Sequence, residues 1–274
     1  MTSDTAQTEL VAAKSARETE ELTELIRSAR VVLWDFDGPI CRLFAGHSAA
    51  EVAVGLVQWL EGRGLHGLVA DTGRDSVDPQ LVVRVADRRQ FGGEPADDAE
   101  GNVPDPHRVL RVVDSRRPGS DLVAELEERL TEEELRATAT AMPTAYADVL
   151  IQTWRALGVR MAVTTNNSPR VARAYLDARG LTACFAPHIY GRTQDLDLLK
   201  PDPHCLNRAL SAMGAVPDAA LMIGDSPSDL EAARRAGVPF LGYARNERKA
   251  KLLTAAGADR VVGSLEPLLE MLRD

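Results

Sequence analysis

Two pairs of aspartates carry the first chemical signal in the chain. Asp35 and Asp37 stand two apart directly after the apolar run Val31-Val32-Leu33-Trp34, and Asp225 and Asp229 follow the apolar run that ends at Gly224. If the chain stays extended through Phe36, residues 35 and 37 can turn both carboxylates toward one pocket. A lone Asp-x-Asp after a strand is often a turn or capping device. Four carboxylates brought together would repel one another and hold protons unless a cation offset them. All-oxygen ligands suit Mg²⁺ rather than zinc, which would ask for His or Cys, and a few carboxylates leave room for waters and a substrate phosphate oxygen. Lys200, before Pro201, offers a point charge at the same edge. Thr165 and Asn166 offer a hydroxyl and an amide, and the helix expected near Pro169 adds free N–H groups suited to an anion. Taken singly, Lys200 also reads as a solvated lysine, and Thr165-Asn166 as a strand-end turn.

The elements that must hold these groups alternate in type. Val31 to Trp34 is a continuous apolar run stopped by acids and Gly38-Pro39, the pattern of a buried parallel strand entering a loop. The spacing predicts further strands at Val159 to Thr164, His188 to Tyr190, Ala220 to Gly224, Val238 to Tyr243 and Arg260 to Val262. Between them lie helices with cap and stop signals: Ser168-Pro169 to Gly180, Asp202-Pro203 to Gly214 and Ser226-Pro227 to Gly237. A shorter helix is expected from Arg17 to Ala29. The fold class is therefore α/β, a doubly wound parallel sheet with helices on both faces. Ligands of such sheets bind beyond the carboxyl ends of the strands near a switch in strand order, so the polar clusters should converge there.

Roughly a hundred residues between the first and second strands break this rhythm, too long for a plain loop. Ala49 to Leu60, Pro79 to Gln90, Arg108 to Asp114 and Leu122 to Ala139 show helical spacing, while Phe91 to Pro106 is rich in Gly, Pro and Asp. The expected organisation is a flexible tail over 1–16, a core over 17–45 and 145–274, and a smaller helical cap over 46–144 above the site. Glu125, Glu127, Glu128 and Glu132 to Glu134 read as a solvated helix face. Basic residues such as Arg42, His47, Arg74, His107 and Arg111 are candidates to meet an anion, although each alone reads more simply as surface. Trp34, Trp59 and Trp154 are expected to pack.

Composition bounds the partners. The 274 residues are 45% hydrophobic and 27% charged, an ordinary globular balance. Lys plus Arg number 32 against 41 Asp plus Glu, and the net charge of -9 disfavours nucleic acid and anionic membrane surfaces. A small anionic substrate remains allowed, because a bound cation reverses the field locally. Cys41, Cys184 and Cys205 form no CxxC pair, which argues for idle thiols in a reducing compartment. No run approaches the ~18 apolar residues of a membrane span, and the acidic start is unlike a signal peptide, so a cytoplasmic location is expected.

Asp35-Phe36-Asp37-Gly38-Pro39, Thr165-Asn166, Lys200-Pro201 and Gly224-Asp225-Ser226-Pro227-Ser228-Asp229 together resemble, in order and context, the four motifs of the haloacid dehalogenase-like hydrolase superfamily. The resemblance covers the core; the inserted region is similar only in position and helical character. Pro39 stands where Thr or Val is commoner, and Asn167 adds a second amide. The resemblance implies that Asp35 is a nucleophile forming an aspartyl-phosphate and that Asp37 is the acid-base. It further implies that Thr165, Asn166 and Lys200 bind the phosphoryl group, with Lys200 also neutralising the nucleophile. Mg²⁺ would be held by the Asp35 carboxylate, the Asp37 backbone carbonyl and Asp225, with Asp229 either a ligand or an acceptor behind the ligands. Asp37 sets the chain apart from halide-displacing members. A phosphonate-cleaving member would need a cap lysine, and no lysine lies between Cys41 and Ala141. The expected activity is Mg²⁺-dependent hydrolysis of a phosphomonoester on a small metabolite. A phosphosugar mutase and a non-catalytic phosphate-binding module are the alternatives, and oligomeric state is left open.

Overall fold

A computed structural model describes residues 17, 19–69 and 105–273. The tail over 1–16, the helix over Pro79 to Gln90, Arg74 and nearly all of the Phe91 to Pro106 loop lie outside the described residues. The central strand β1 (Val31–Trp34) is fully buried. It pairs in parallel with β4 (Arg160–Thr164) on one side and β6 (Ala220–Gly224) on the other. With β5 (Ile189–Tyr190), β7 (Phe240–Tyr243) and β8 (Val261–Val262) the sheet order is β5-β4-β1-β6-β7-β8. Order reverses at β1, which places the crevice for a ligand at the carboxyl ends of β1, β4 and β6. The expected strands are all present, with β4, β5 and β8 shorter by one residue and β7 by two.

Alternate residues of β1 serve two cores. Val32 and Trp34 pack with the helix over 19–28 (α1), α5 (Ala147–Ala156), α6 (Pro169–Ala178) and α11 (Glu266–Arg273). Val31 and Leu33 face α8 (His204–Met213) and α9 (Pro227–Ala236) on the other side. Period-two alternation with both faces apolar explains why β1 reads as an unbroken hydrophobic run. Trp34 and Trp154 meet edge to face at 5.7 Å within the first core. Helix α9 starts as its residues dictate, with Ser226 and Asp229 forming a capping box, Pro227 in the first turn and Gly237 as the left-handed stop. Helix α8 begins one residue later than expected: Pro203 is the cap, while Asp202 accepts from the His204 N–H at 2.9 Å. Ser168 precedes α6 without a side-chain cap bond.

The inserted segment contributes α2 (Ala49–Gly62), α3 (Pro106–Arg116) and α4 (Asp121–Thr138). They bury Leu56, Leu60, Leu110, Leu126 and Leu130 in a separate apolar cluster, which also takes in Leu196 and Leu199 from the segment leading to Lys200. The insertion thus rests on the chain that carries Lys200. Its entry and exit run side by side as the antiparallel pair β2 (Cys41–Arg42) and β3 (Met142–Pro143). Thr144 fastens this ribbon to the loop after β1, donating from its N–H to Ile40 O at 3.1 Å and from its hydroxyl to Gly38 O at 2.6 Å. No helix among the described residues is long and apolar enough to cross a membrane.

Candidate functional site

The carboxyl ends of β1, β4 and β6 bring most of the expected residues together. Asp35 continues β1, its N–H donating to Ile223 O at 2.8 Å. Asp225 follows β6, and α9 returns Asp229 beneath it. The carboxylates of Asp35, Asp225 and Asp229 lie within 4.8 Å of one another, all buried. Such an approach needs glycine in two places. Gly38 has φ 127°, and a Cβ there would stand 2.3 Å from Asp225 Oδ2. A Cβ on Gly224 would stand 2.5 Å from that of Asp229.

Lys200 is the cation that answers these acids. Its ammonium donates to Asp35 Oδ1 at 2.7 Å and Thr164 O at 2.9 Å, and lies 2.5 Å from Asp229 Oδ1. Three donors therefore meet three acceptors with the side chain almost wholly buried. Burial opposes its charge, but Asp229 and Asp35 raise its pKa above the ordinary lysine value. The backbone of Lys200 is clamped by Asn166, whose Oδ1 accepts from the Lys200 N–H at 2.8 Å while Nδ2 donates to Lys200 O at 3.1 Å. The Asn166 amide thus holds Lys200 at both ends. Thr165 donates its hydroxyl to Asn167 Oδ1 at 3.0 Å and accepts from the Asn167 N–H at 3.1 Å.

Asp229 is committed elsewhere: Oδ2 accepts from the N–H groups of Asp225 and Ser226 at 3.1 and 3.0 Å and from the Ser226 hydroxyl at 2.7 Å. Asp37 accepts the Leu43 N–H on Oδ1 at 2.8 Å. Burial raises the Asp37 pKa to about 6, against the pull of the Leu43 hydrogen bond. Burial and neighbouring carboxylates likewise push Asp35 and Asp225 upward. One cation was not foreseen: Lys249, from α10 (Glu247–Ala255), donates its ammonium to Asp225 Oδ2. The three clustered carboxylates against the ammonium groups of Lys200 and Lys249 leave one formal negative charge, with the Asp37 carboxyl a fourth acid beside them. An all-oxygen donor set with that deficit fits a hard divalent cation such as Mg²⁺.

A family model for haloacid dehalogenase-like hydrolases matches residues 29–237, a span containing every residue of the site except Lys249. The chain belongs to that family. A phosphoglycolate phosphatase from Rhodospirillum rubrum is 40% identical over 113 residues, 40% of this chain and 45% of the relative. A phosphoserine phosphatase from Thermus thermophilus is 34% identical over 93 residues, 34% of this chain and 36% of the relative. The matches thus span less than half the length of these curated relatives. The crystal structure of a predicted phosphatase from Clostridium acetobutylicum has the same fold, with a TM-score of 0.58 at 17% identity, covering 90% of this chain and 99% of that one.

In this haloacid dehalogenase-like hydrolase a second polar cluster lies between the insertion and the strand ends. Glu134, expected on a solvated face, is completely buried; its neighbours Glu125, Glu128 and Glu132 remain about half exposed. Arg192, which follows β5, donates from Nη1 and Nη2 to the two Glu134 oxygens at 2.9 and 3.0 Å. It also donates from Nε to Glu127 at 2.9 Å and from Nη2 to Thr131 Oγ1 at 2.9 Å. Residues 127, 131 and 134 are spaced i, i+4 and i+7 on α4, so they share one stripe. That spacing was the available signal, and an acid-rich helix concealed it. His107 completes the cluster, with Nε2 3.1 Å from Glu134 Oε1 and Nδ1 3.6 Å from Asp105. Burial lowers the His107 pKa, but hydrogen bonds to Asp105 and Glu134 carry it up to about 9. Burial raises that of Glu134, yet Arg192 and then His107 hold it down to about 2. Arg111 reaches the same border and donates to Lys200 O at 2.7 Å. His47 pairs with Glu133 at 2.9 Å.

Proposed function

We propose that the chain is a Mg²⁺-dependent phosphomonoesterase acting on a small phosphorylated metabolite through a phosphorylated Asp35. The observation that carries this reading is the Lys200 ammonium spanning Asp35 and Asp229 within a cluster of three buried carboxylates that the two lysines do not fully balance. The Asp35 carboxylate, the Asp37 backbone carbonyl and Asp225 would hold the ion. Asp229, with Oδ2 spent on the α9 start and Oδ1 on Lys200, fits the acceptor role behind the ligands. When bound, Mg²⁺ supplies a positive charge that neutralises the phosphoryl oxygens and lowers repulsion toward an anionic nucleophile.

The steps then follow from this chain's own groups. A carboxylate oxygen of Asp35 forms a bond to phosphorus as the bond from phosphorus to the ester oxygen breaks. Asp37, whose buried carboxyl holds its proton more firmly than an exposed one, gives that proton to the departing alkoxide. It then takes a proton from the water that attacks phosphorus, and the bond from phosphorus to Asp35 breaks to release inorganic phosphate. Lys200 stays charged throughout and offsets the negative charge shared by Asp35 and the phosphoryl group. The Thr165 hydroxyl, whose proton rests on Asn167 Oδ1, would swing that proton to a phosphoryl oxygen when the anion arrives, with Oγ1 itself held in place by the Asn167 N–H. The insertion is read as a cap, since its helices rest on the Lys200 segment and cover the strand ends. The compounds in the names of the two curated relatives, phosphoglycolate and phosphoserine, head the substrate panel.

Aryl phosphate turnover with and without Mg²⁺, compared with Asp35→Asn, tests the reading. Turnover should need the metal and vanish in the variant. Equal turnover by Asp35→Asn would end the mechanism. Free phosphate should also exceed any isomer formed from a hexose phosphate.

A further inference from the structure

The loop that follows β4 is pinned from outside its own strand and helix. Arg192 donates from Nη1 to Asn166 O at 3.2 Å and from its N–H to Asn167 O at 2.9 Å. Glu134 accepts the Asn167 side-chain amide on Oε1 at 3.0 Å and the Ser168 N–H on Oε2 at 3.2 Å. A carboxylate only accepts, so Asn167 must offer it Nδ2, which turns Oδ1 toward the hydroxyl of Thr165. Oxygen and nitrogen of that amide are thereby distinguished by chemistry. Two carbonyls, one amide N–H and the rotamer of Thr165 are fixed by a single buried pair, one member of which comes from the insertion.

We propose that Glu134 is a positioning residue for phosphate, setting through Arg192 and Asn167 the loop from Thr165 to Ser168 that receives the phosphoryl group. The inference rests on the phosphatase reading above. Its physical basis is preorganisation: a loop already held in the binding geometry does not have to be ordered when the anion arrives. Seating of the insertion and phosphate affinity are then linked, because the carboxylate of α4 belongs to both.

The test compares the whole protein with Glu134→Gln and with the double variant Glu134→Gln/Arg192→Met. Three quantities are read: inhibition by inorganic phosphate, KM and kcat for an aryl phosphate, and Tm. The single variant leaves Arg192 facing a neutral amide and should lose stability, whereas removing both charges together spares the interior an unpaired guanidinium, leaves His107 to Asp105 and the partly exposed Glu127 to water, and should restore part of the Tm. Both variants should bind phosphate about tenfold more weakly, with KM rising more than kcat falls, the size of losing one charge-assisted hydrogen bond. Recovery of Tm without recovery of affinity supports the assignment. Phosphate affinity that stays within threefold of wild type in the double variant overturns it, and that variant decides alone if the single one does not fold. Wild-type protein that neither hydrolyses the ester nor binds phosphate would instead remove the phosphatase reading, and this inference with it.

Discussion

Lys200 and Asp229 form a buried ion pair of 2.5 Å whose other purpose is to aim the lysine at Asp35, 2.7 Å from the same nitrogen. The acid at the start of α9 therefore acts on the site through the lysine and through the backbone of Asp225.

Asp229→Asn separates positioning from ligation. Removing one partner of a buried pair should cost about 3 kcal/mol in urea unfolding. Turnover should fall at least tenfold because Lys200 loses an anchor. Mg²⁺ affinity measured by calorimetry should change less than threefold, whereas Asp225→Asn should weaken it far more. Equal losses of metal affinity in the two variants would make Asp229 a ligand.

Lys249 places a tethered positive charge on Asp225 Oδ2, an oxygen proposed to serve the metal. Lys249→Met should tighten Mg²⁺ binding, since a competing and repelling cation is gone. The metal-free variant should melt lower than wild type and gain more Tm on addition of Mg²⁺. Weaker Mg²⁺ binding in calorimetry would mean that the lysine assists the site instead.

Gly38 combines a positive φ with a side-chain position already occupied by Asp225. Gly38→Ala should cost ~1–3 kcal/mol in backbone strain alone and push the Asp225 carboxylate away. Activity should collapse along with Mg²⁺ affinity. A crystal structure of the variant with Asp225 unmoved would refute the steric account.

The His107–Glu134 pair gives stability a defined pH window. His107 has its pKa raised from 6.5 to about 9, so its contribution is complete below 6.5 and lost as pH rises through 9. Glu134 has its pKa lowered from 4.5 to about 2, so its contribution is present above 4.5 and lost as pH falls through 2. Thermal melts of wild type and His107→Gln should differ most between pH 4.5 and 6.5 and converge above pH 9. A Tm difference independent of pH across that range would show that the imidazole acts by packing alone.

Much of this was legible in the chain because its signals are local. An apolar run, two acids and Gly38 announce the end of β1; Ser226, Pro227 and Gly237 announce the limits of α9, and the same grammar located β4 and β6. Each signal lies within a few residues of the feature it specifies, where sterics and capping decide the backbone. Phosphate-site candidates followed from the strand ends, since a doubly wound sheet collects them at one edge. Glu134 was misread for the opposite reason. Its burial depends on Arg192, 58 residues away, and the acids around it on α4 are truly exposed.

By itself the sequence determined the alternation of strand and helix, the sheet class and the acids, lysine and hydroxyl that gather at the strand ends, because these depend on short-range pattern. Tertiary structure alone decided which acid meets which cation. It put Lys200 between Asp35 and Asp229, Lys249 on Asp225, and Glu134 between Arg192 and the loop after β4. Such pairings depend on distances of a few ångströms between distant parts of the chain, and charge in a low-dielectric interior is tolerated only where the fold brings its partner.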